Sequence, residues 1–443
     1  MVKAPELLAP AGDLFRMKYA IAYGADAVYA GQPAFSLRSR ENGFKNLDDL
    51  AEGVSYVHGK GKKFYLTSNV IPRNTKVEPF QKALLAALEL KPDALIVADP
   101  GFVGWLRKVS PQTEVHLSVQ ANTTNYLTAS FWRELGVRRI ILSRELRLSE
   151  ILEIKERNPD LELEVFVHGA VCMAMSGRCM LSNWVTHRDA NQGACDNSCR
   201  MPYRLYANDG PQCADYREHQ GDFFLQRTDR PELAPVALDE DTWGTYFMSS
   251  RDLCALDVVP ELVAGGLDSF KIEGRTRSVY YLSQVVRAYR MAIDASVRAL
   301  ESGTPPEVPQ ESRRAMGFVD GRGFMPGFLR GPLPQNYEST HVAAESGCVC
   351  AQILDYDPAN GSCRVNVKNA FSLGDELELM TPQGMVPCSV ERLEDFRGGV
   401  AERLHPGTEG CVVLSGGTFT PCENLSPESA KFGFFVKRTT QKS

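Results

Sequence analysis

The hydrophobic pattern of this chain opens with short apolar runs separated by stretches of helical period. Residues 6–10 (ELLAP) precede a helical stretch at 13–23, and a second apolar run at 27–31 (AVYAG) follows it. The alternation continues through 63–69, 94–99, 114–119, 139–143 and 164–168, which makes seven candidate strands. After a long interruption 269–273 (SFKIE) supplies an eighth, and a helical stretch runs from 278 to 300. These runs are nearly continuous in apolar residues, as parallel strands buried on both faces require. Eight βα repeats predict an α/β fold, a closed (β/α)8 barrel of the TIM type, with 245–249 as a candidate extra strand. The competing architecture is an open doubly wound sheet, but no glycine-rich phosphate fingerprint follows the first strand.

Beyond residue 303 the texture changes twice. Proline, glycine and arginine scatter through 303–336, which reads as a connector. From 341 short alternating runs appear at 349–357, 362–368, 375–381, 386–393 and 411–415, with turns at Asn360-Gly361 and Gln383-Gly384. They predict a small C-terminal β-barrel domain. The expected division is therefore a catalytic barrel at 1–302 with a cysteine-bearing insertion at 170–246, a connector at 303–340 and the β domain at 341–443. The tail at 431–442 carries Lys437 and Arg438 and reads as a solvated terminus, with polyanion contact as the alternative.

Composition narrows the setting. With 443 residues, 43% hydrophobic and 23% charged, the chain is of soluble globular type and long enough for two cores. No apolar run reaches the length of a membrane span and residues 1–8 lack signal-peptide segments, so the expected location is cytoplasmic, with no membrane partner. Twelve cysteines in that reducing compartment point to metal or redox chemistry rather than to disulfides. The net charge of -6 means that a nucleic-acid partner needs a local basic patch.

Four cysteines gather just after the seventh strand. Cys172, Cys179, Cys195 and Cys199 have six, fifteen and three residues between neighbours. Four thiolates can hold an iron-sulfur cluster or a tetrahedral zinc. Zinc sites pair their cysteines closely, and only the second pair has that spacing, so the pattern leans to iron and sulfur. Cys213 and Cys254 are alternatives to Cys199 as fourth ligand. The six cysteines of the β domain read as packing residues.

A barrel puts its chemistry at the carboxyl ends of its strands. Asn69, Asp99, Gln120, Asn122, Ser143, Arg144, Glu145, His168, Glu273 and Arg275 collect there, helix capping being the alternative for each. His168, Glu273 and Arg275 are the candidate catalytic residues; for His168 a supporting role in the core is the alternative. The run 271–278 (KIEGRTRS) suits an anion, with Arg275 as its preferred ligand, unless Lys271, Glu273 and Arg275 merely pair around the rim. Neither G-x-S-x-G nor H-E-x-x-H occurs.

Residues 164–166 (EVF), 169–172 (GAVC), 177–179 (GRC) and 181–182 (LS) resemble the signature of the collagenase-like peptidases of unknown catalytic type. The stretches ELLAPAGD, GADAVYAGQ, LSVQANTTN, RIILSREL, HRDANQGAC and SFKIEGRTRSVYY resemble one branch of that family, whose members hydroxylate tRNA uridine. The resemblance implies oxygen-independent 5-hydroxylation of the wobble uridine of tRNA, dependent on prephenate and on iron-sulfur cluster supply. It also implies a [4Fe-4S] cluster on Cys172, Cys179, Cys195 and Cys199, although relatives differ in where the fourth cysteine lies. Prephenate is a dicarboxylate, for which Arg144, Arg178, Arg188, Arg275 and Arg277 offer bidentate partners. Of these, Arg144, Arg178 and Arg277 are the expected co-substrate ligands. The barrel mouth is the expected recess for a base flipped out of the anticodon loop, with the β domain and tail gripping the tRNA body. Related branches hydroxylate a ribosomal RNA cytidine or quinone precursors, and peptide hydrolysis is the remaining alternative.

Overall fold

The computed structural model describes residues 2–37, 39–172, 174–176, 178–201, 251–321, 323–331, 347–359, 361–388, 390–414 and 427–438, with the backbone of short strands between 206 and 246. Eight parallel strands form the first part: β1 (Glu6–Pro10), β2 (Ala27–Gly31), β3 (Lys63–Thr67), β4 (Ala94–Val97), β5 (Val115–Leu117), β6 (Arg139–Ile141), β7 (Glu162–Gly169) and β8 (Ser269–Ile272). They pair in sequence order, and β8 joins both β7 and β1, so the barrel closes. Every expected strand is present. β2 is buried at each of its five positions, as two-sided covering demands.

Local capping explains where the helices begin. Asp13 caps α1 (Leu14–Ala22) by accepting the Arg16 amide at 2.7 Å, and Ser278 caps α9 (Val279–Ser302) by accepting the Tyr281 amide at 3.1 Å. The run expected at 245–249 contributes instead to a strand, Gly244–Tyr246, that pairs with Val236–Asp241 outside the barrel. Part of the expected connector is also folded structure. Its helix α10 (Gln310–Gly317) buries Ser312, Ala315 and Met316, and its strand Phe324–Met325 pairs with Asp252–Cys254, which itself runs antiparallel to β7.

Charge occupies part of the barrel interior. Glu164 is fully buried and lies 2.8 Å from Lys271 Nζ and 3.2 Å from Arg139 Nη1. Arg139 also reaches Glu6 at 2.6 Å and Glu162 at 2.8 Å. Burial alone would raise the Glu164 carboxyl, but Lys271 and Arg139 hold it below the usual range. This ionised layer lies beneath the barrel mouth.

The C-terminal part is an eight-stranded antiparallel sheet. Its order is Gly384–Cys388, Leu377–Thr381, Phe434–Arg438, Gly347–Asp357, Ser362–Val367, Glu409–Leu414, Val390–Asp395 and Val400–Ala401. The expectation of a solvated tail is corrected here: Phe434–Arg438 is an inner strand, with Phe434, Phe435 and Val436 buried, and Lys437 pairs with Asp375 at 2.7 Å. Phe434, Val436 and Met380 join the apolar core of the barrel. Gln352 donates to the Tyr19 hydroxyl at 2.7 Å, and Tyr23 donates to the Phe432 carbonyl at 2.8 Å. No described helix is long and apolar enough to cross a membrane.

Candidate functional site at the barrel mouth

The carboxyl ends of the strands open onto a cavity of about 340 Å³. Tyr29 of β2, Thr67 of β3, Ile96 of β4, Ser118 just after β5, Ile141 of β6, Phe166 of β7 and Lys271 of β8 line it. Alternation along each strand decides which residues arrive there. On β7 Glu164 and Phe166 point inward, and His168 would follow them. It does not, because the pairing of β7 with β8 slips: Phe166 stands opposite Lys271 but His168 stands opposite Ile272. One extra residue, Val167, turns the end of the strand over.

The expectation that His168 acts in the cavity is therefore corrected. Its ring lies among Tyr281, Tyr289 and Phe324, with Nε2 2.9 Å from the Tyr281 hydroxyl. Tyr289 donates its hydroxyl hydrogen to the Val167 carbonyl at 2.7 Å, so the ring is the donor in its 3.4 Å contact with that oxygen. Burial pushes the imidazole pKa down to about 3, with Arg277 adding to the shift and Asp252 opposing it. His168 is neutral and supports the join between β7 and α9.

Glu273, Arg275, Arg144, Asn69 and Gln120 do line the cavity. Glu273 accepts from the Tyr29 hydroxyl at 2.9 Å; burial first, and then that carboxylate, hold the phenol well above its ordinary pKa. Arg275 donates to the Leu37 carbonyl. Arg144 donates to the Ala170 carbonyl at 2.6 Å and lies 4.2 Å over the Phe166 ring. Arg144 Nε, Arg275 Nε and Gln120 Nε2 are all buried with no hydrogen-bond partner. Buried donors without acceptors are costly, so these three mark a place for an oxygen-rich guest. Lys271 pairs with Glu164 below it at 2.8 Å, and Glu273 adds a weaker attraction from the rim.

The four clustered cysteines line the same cavity. Gly169 starts this loop at φ 108°, where a Cβ would stand 2.3 Å from the Glu273 carbonyl oxygen, so only glycine lets the chain leave β7 beside β8. Asn191 ties the Cys179 carbonyl at 3.0 Å. The Asn197 amide donates to Cys195 Sγ at 3.4 Å, and the Asp196 carboxylate accepts from the Thr186 and Ser198 hydroxyls. Those bonds fix the second cysteine pair against the short helix α7 (Leu181–Thr186). Cys254 lies elsewhere, half-buried beside the Tyr289 hydroxyl at 3.7 Å, and Cys213 is outside the described residues. Among the described residues no three His, Cys, Asp or Glu side chains converge on one metal ion. The four cysteines share one cavity, and four thiolates are the donor set that an iron-sulfur cluster or a tetrahedral zinc takes.

The remaining expected residues fall outside the cavity. Arg277 is corrected from co-substrate ligand to structural partner: it pairs with Asp252 at 2.6 Å and lies 4.7 Å over the Tyr281 ring. Arg178 is exposed and donates to Asn122 at 3.0 Å, while Asn122 donates to the Ser176 carbonyl at 3.1 Å. Asp99 caps α4 (Pro100–Val109), accepting from Gly101 and Phe102. Ser143 Oγ and Glu145 Oε2 are buried without partners, as is Arg188 Nε. Tyr29, Thr67 and Phe166 were not foreseen. Their signal is inward parity on a strand, which a run apolar on both faces hides.

Residues 12–339 match Peptidase family U32, and 348–421 match the Peptidase family U32 C-terminal domain. The chain is 41% identical over 432 residues to the tRNA hydroxylation protein P of Escherichia coli, covering 93% of each. It is 41% identical over 414 residues to the protein of that name from Haemophilus influenzae, covering 88% of each. A 23S rRNA 5-hydroxycytidine synthase of Escherichia coli is 34% identical over 292 residues, which is 66% of this chain and 40% of that protein.

Proposed function

The chain belongs to Peptidase family U32, and from that membership we propose that it hydroxylates RNA, with tRNA as its substrate, as the names of its relatives suggest. The observation that carries this reading is the lining of the barrel-mouth cavity. Four cysteines share it with the unsatisfied donors of Arg144, Arg275 and Gln120. Such a lining suits a redox group beside an oxygen-rich guest.

In finer detail, the target is C5 of the wobble uridine, presented by an anticodon loop whose base leaves its stack at little cost. Prephenate is the co-substrate. Its two carboxylates meet Arg275 and Arg144, the two arginines of the cavity, through forked hydrogen bonds. Cys172, Cys179, Cys195 and Cys199 hold a [4Fe-4S] cluster, which when bound supplies one-electron redox chemistry. Glu273, held by the Tyr29 hydroxyl at 2.9 Å, is the cavity carboxylate available to hold a proton beside the guest. Lys271 lies 4.3 Å from the Tyr29 ring centre, with its charge met by Glu164 at 2.8 Å. A tRNA substrate sets the work in the cytoplasm. The β domain grips the tRNA body, and because it shares the apolar core of the barrel, surface substitutions test that role better than deletion of 341–443.

Mass spectrometry of tRNA nucleosides tests the reading. A strain lacking this protein is expected to lose 5-hydroxyuridine derivatives; the wild-type gene restores them, and R275A restores them poorly. Unchanged derivatives in the deletion strain refute tRNA uridine as the substrate. Iron and sulfide analysis of anaerobically purified C172S/C179S, set against wild type, tests the cluster separately.

A further inference from the structure

We propose that α7 and the residue before it form a stacking platform for the nucleotides that flank the target base. This rests on RNA as the substrate and names a contact outside the cavity. Trp184 is 86% exposed and Met180 64% exposed. The Trp184 amide donates to the Met180 carbonyl at 2.9 Å, so the two side chains stand on one face of one helical turn. Met180 and Leu181 also line the cavity. The apolar strip therefore continues from the cavity wall onto the surface, where Val185 and Met175 are exposed as well. Exposed apolar strips joined to a cavity mark contact surfaces rather than ordinary scatter.

Local charge selects the occupant. Arg178 is exposed beside the strip, and Arg73 stands close by at 77% exposure. Asp189 shares Arg73 at 3.4 Å, and the Thr186 and Ser198 hydroxyls turn the Asp196 carboxylate toward α7 and its own loop, which leaves Arg178 as the guanidinium beside the strip with no carboxylate paired to it among the described residues. An open indole with guanidinium groups near it is the pairing by which single-stranded RNA is held, bases on the ring and phosphates on the arginines. The platform is rigid because Ser182 accepts the Asp196 amide at 3.2 Å, which locks α7 to the loop bearing Cys195 and Cys199. A base stacked on Trp184 is thereby registered against the cysteine wall.

The test uses the full-length, metal-loaded protein and a synthetic anticodon stem-loop RNA with 2-aminopurine next to the target uridine. Wild type is expected to bind and to change the probe's fluorescence. W184A is expected to bind roughly 5- to 150-fold more weakly, the loss that one base-aromatic stack entails, while W184F keeps most of the affinity. Iron content and melting temperature should match wild type in both variants, since the side chain is solvent-exposed. Equal RNA affinity of W184A and wild type overturns the platform and leaves the hydroxylase reading intact. A change in oligomeric mass without a change in RNA affinity also overturns it, in favour of a protein contact. Wild type that fails to bind, together with intact hydroxyuridine in a deletion strain, overturns the reading on which the platform rests.

Discussion

Replacing Glu164 by glutamine tests the charged layer beneath the cavity. Glu164 is fully buried, and its two cationic partners, Lys271 and Arg139, have side chains only 5% exposed. E164Q leaves both cations facing a neutral amide. Breaking a buried pair by neutralising one partner costs about 3–5 kcal/mol, chiefly for the charge left uncompensated. K271M should cost less. Glu164 then keeps Arg139 at 3.2 Å and the Ser269 hydroxyl at 3.2 Å, so the loss is that of one charge-assisted hydrogen bond, about 1.5–3 kcal/mol. The double variant E164L/K271M removes both charges of the pair while Arg139 keeps Glu6 and Glu162. Its stability should return most of the way to wild type, since well-packed apolar replacements of buried pairs are often neutral.

Urea unfolding followed by intrinsic fluorescence measures these differences. Acid adds a second check. The folded-state pKa of Glu164 is depressed, so its stabilising contribution is present above the unfolded carboxyl value of about 4.3 and is lost as pH falls through the folded value. The gap between wild type and E164Q should therefore narrow below that pH. E164Q as stable as wild type at neutral pH, or a double variant no better than E164Q, refutes the account.

Three further outcomes follow from the site. Because the His168 pKa is about 3 against about 6.5 unfolded, wild type should lose about 1.4 kcal/mol of stability per pH unit as pH falls from 6.5 toward 3; H168Q should remove that slope in pH-dependent unfolding and leave the shape of the activity profile between pH 5 and 8 unchanged. C199S should lower the bound iron of anaerobically purified protein while C254S leaves it near wild type, and the reverse result would transfer the fourth ligand to Cys254. G169A combines a strained φ of 108° with a Cβ against the Glu273 carbonyl, so it should lower the melting temperature and the hydroxylated uridine in cellular tRNA together; normal values for both would show that the two strand ends can part.

The eight barrel strands were legible because two-sided burial writes each as an apolar run, and the cysteine wall was legible because its loop leaves β7 directly. Neither signal depends on side-chain direction. Where direction matters, the sequence is silent. His168 follows Glu164 and Phe166 at even spacing and should point inward, but the slip at Val167 turns it out to α9. Arg275 and Arg277 look equivalent in KIEGRTRS. Arg275 comes straight off β8 and lines the cavity, whereas the Arg277 amide closes a turn onto the Gly274 carbonyl at 3.0 Å and its guanidinium reaches Asp252. Asp252 belongs to a strand added antiparallel to β7, which no βα rhythm foretells. The strand Phe434–Arg438 was hidden for a related reason: its long-range partners, Gly347–Asp357 and Leu377–Thr381, supply the evidence for it. The same bulge that removed His168 also shapes the chemistry. By taking the one histidine of β7 out of the barrel, it leaves the cavity edge to Glu273, Arg275 and the cysteines.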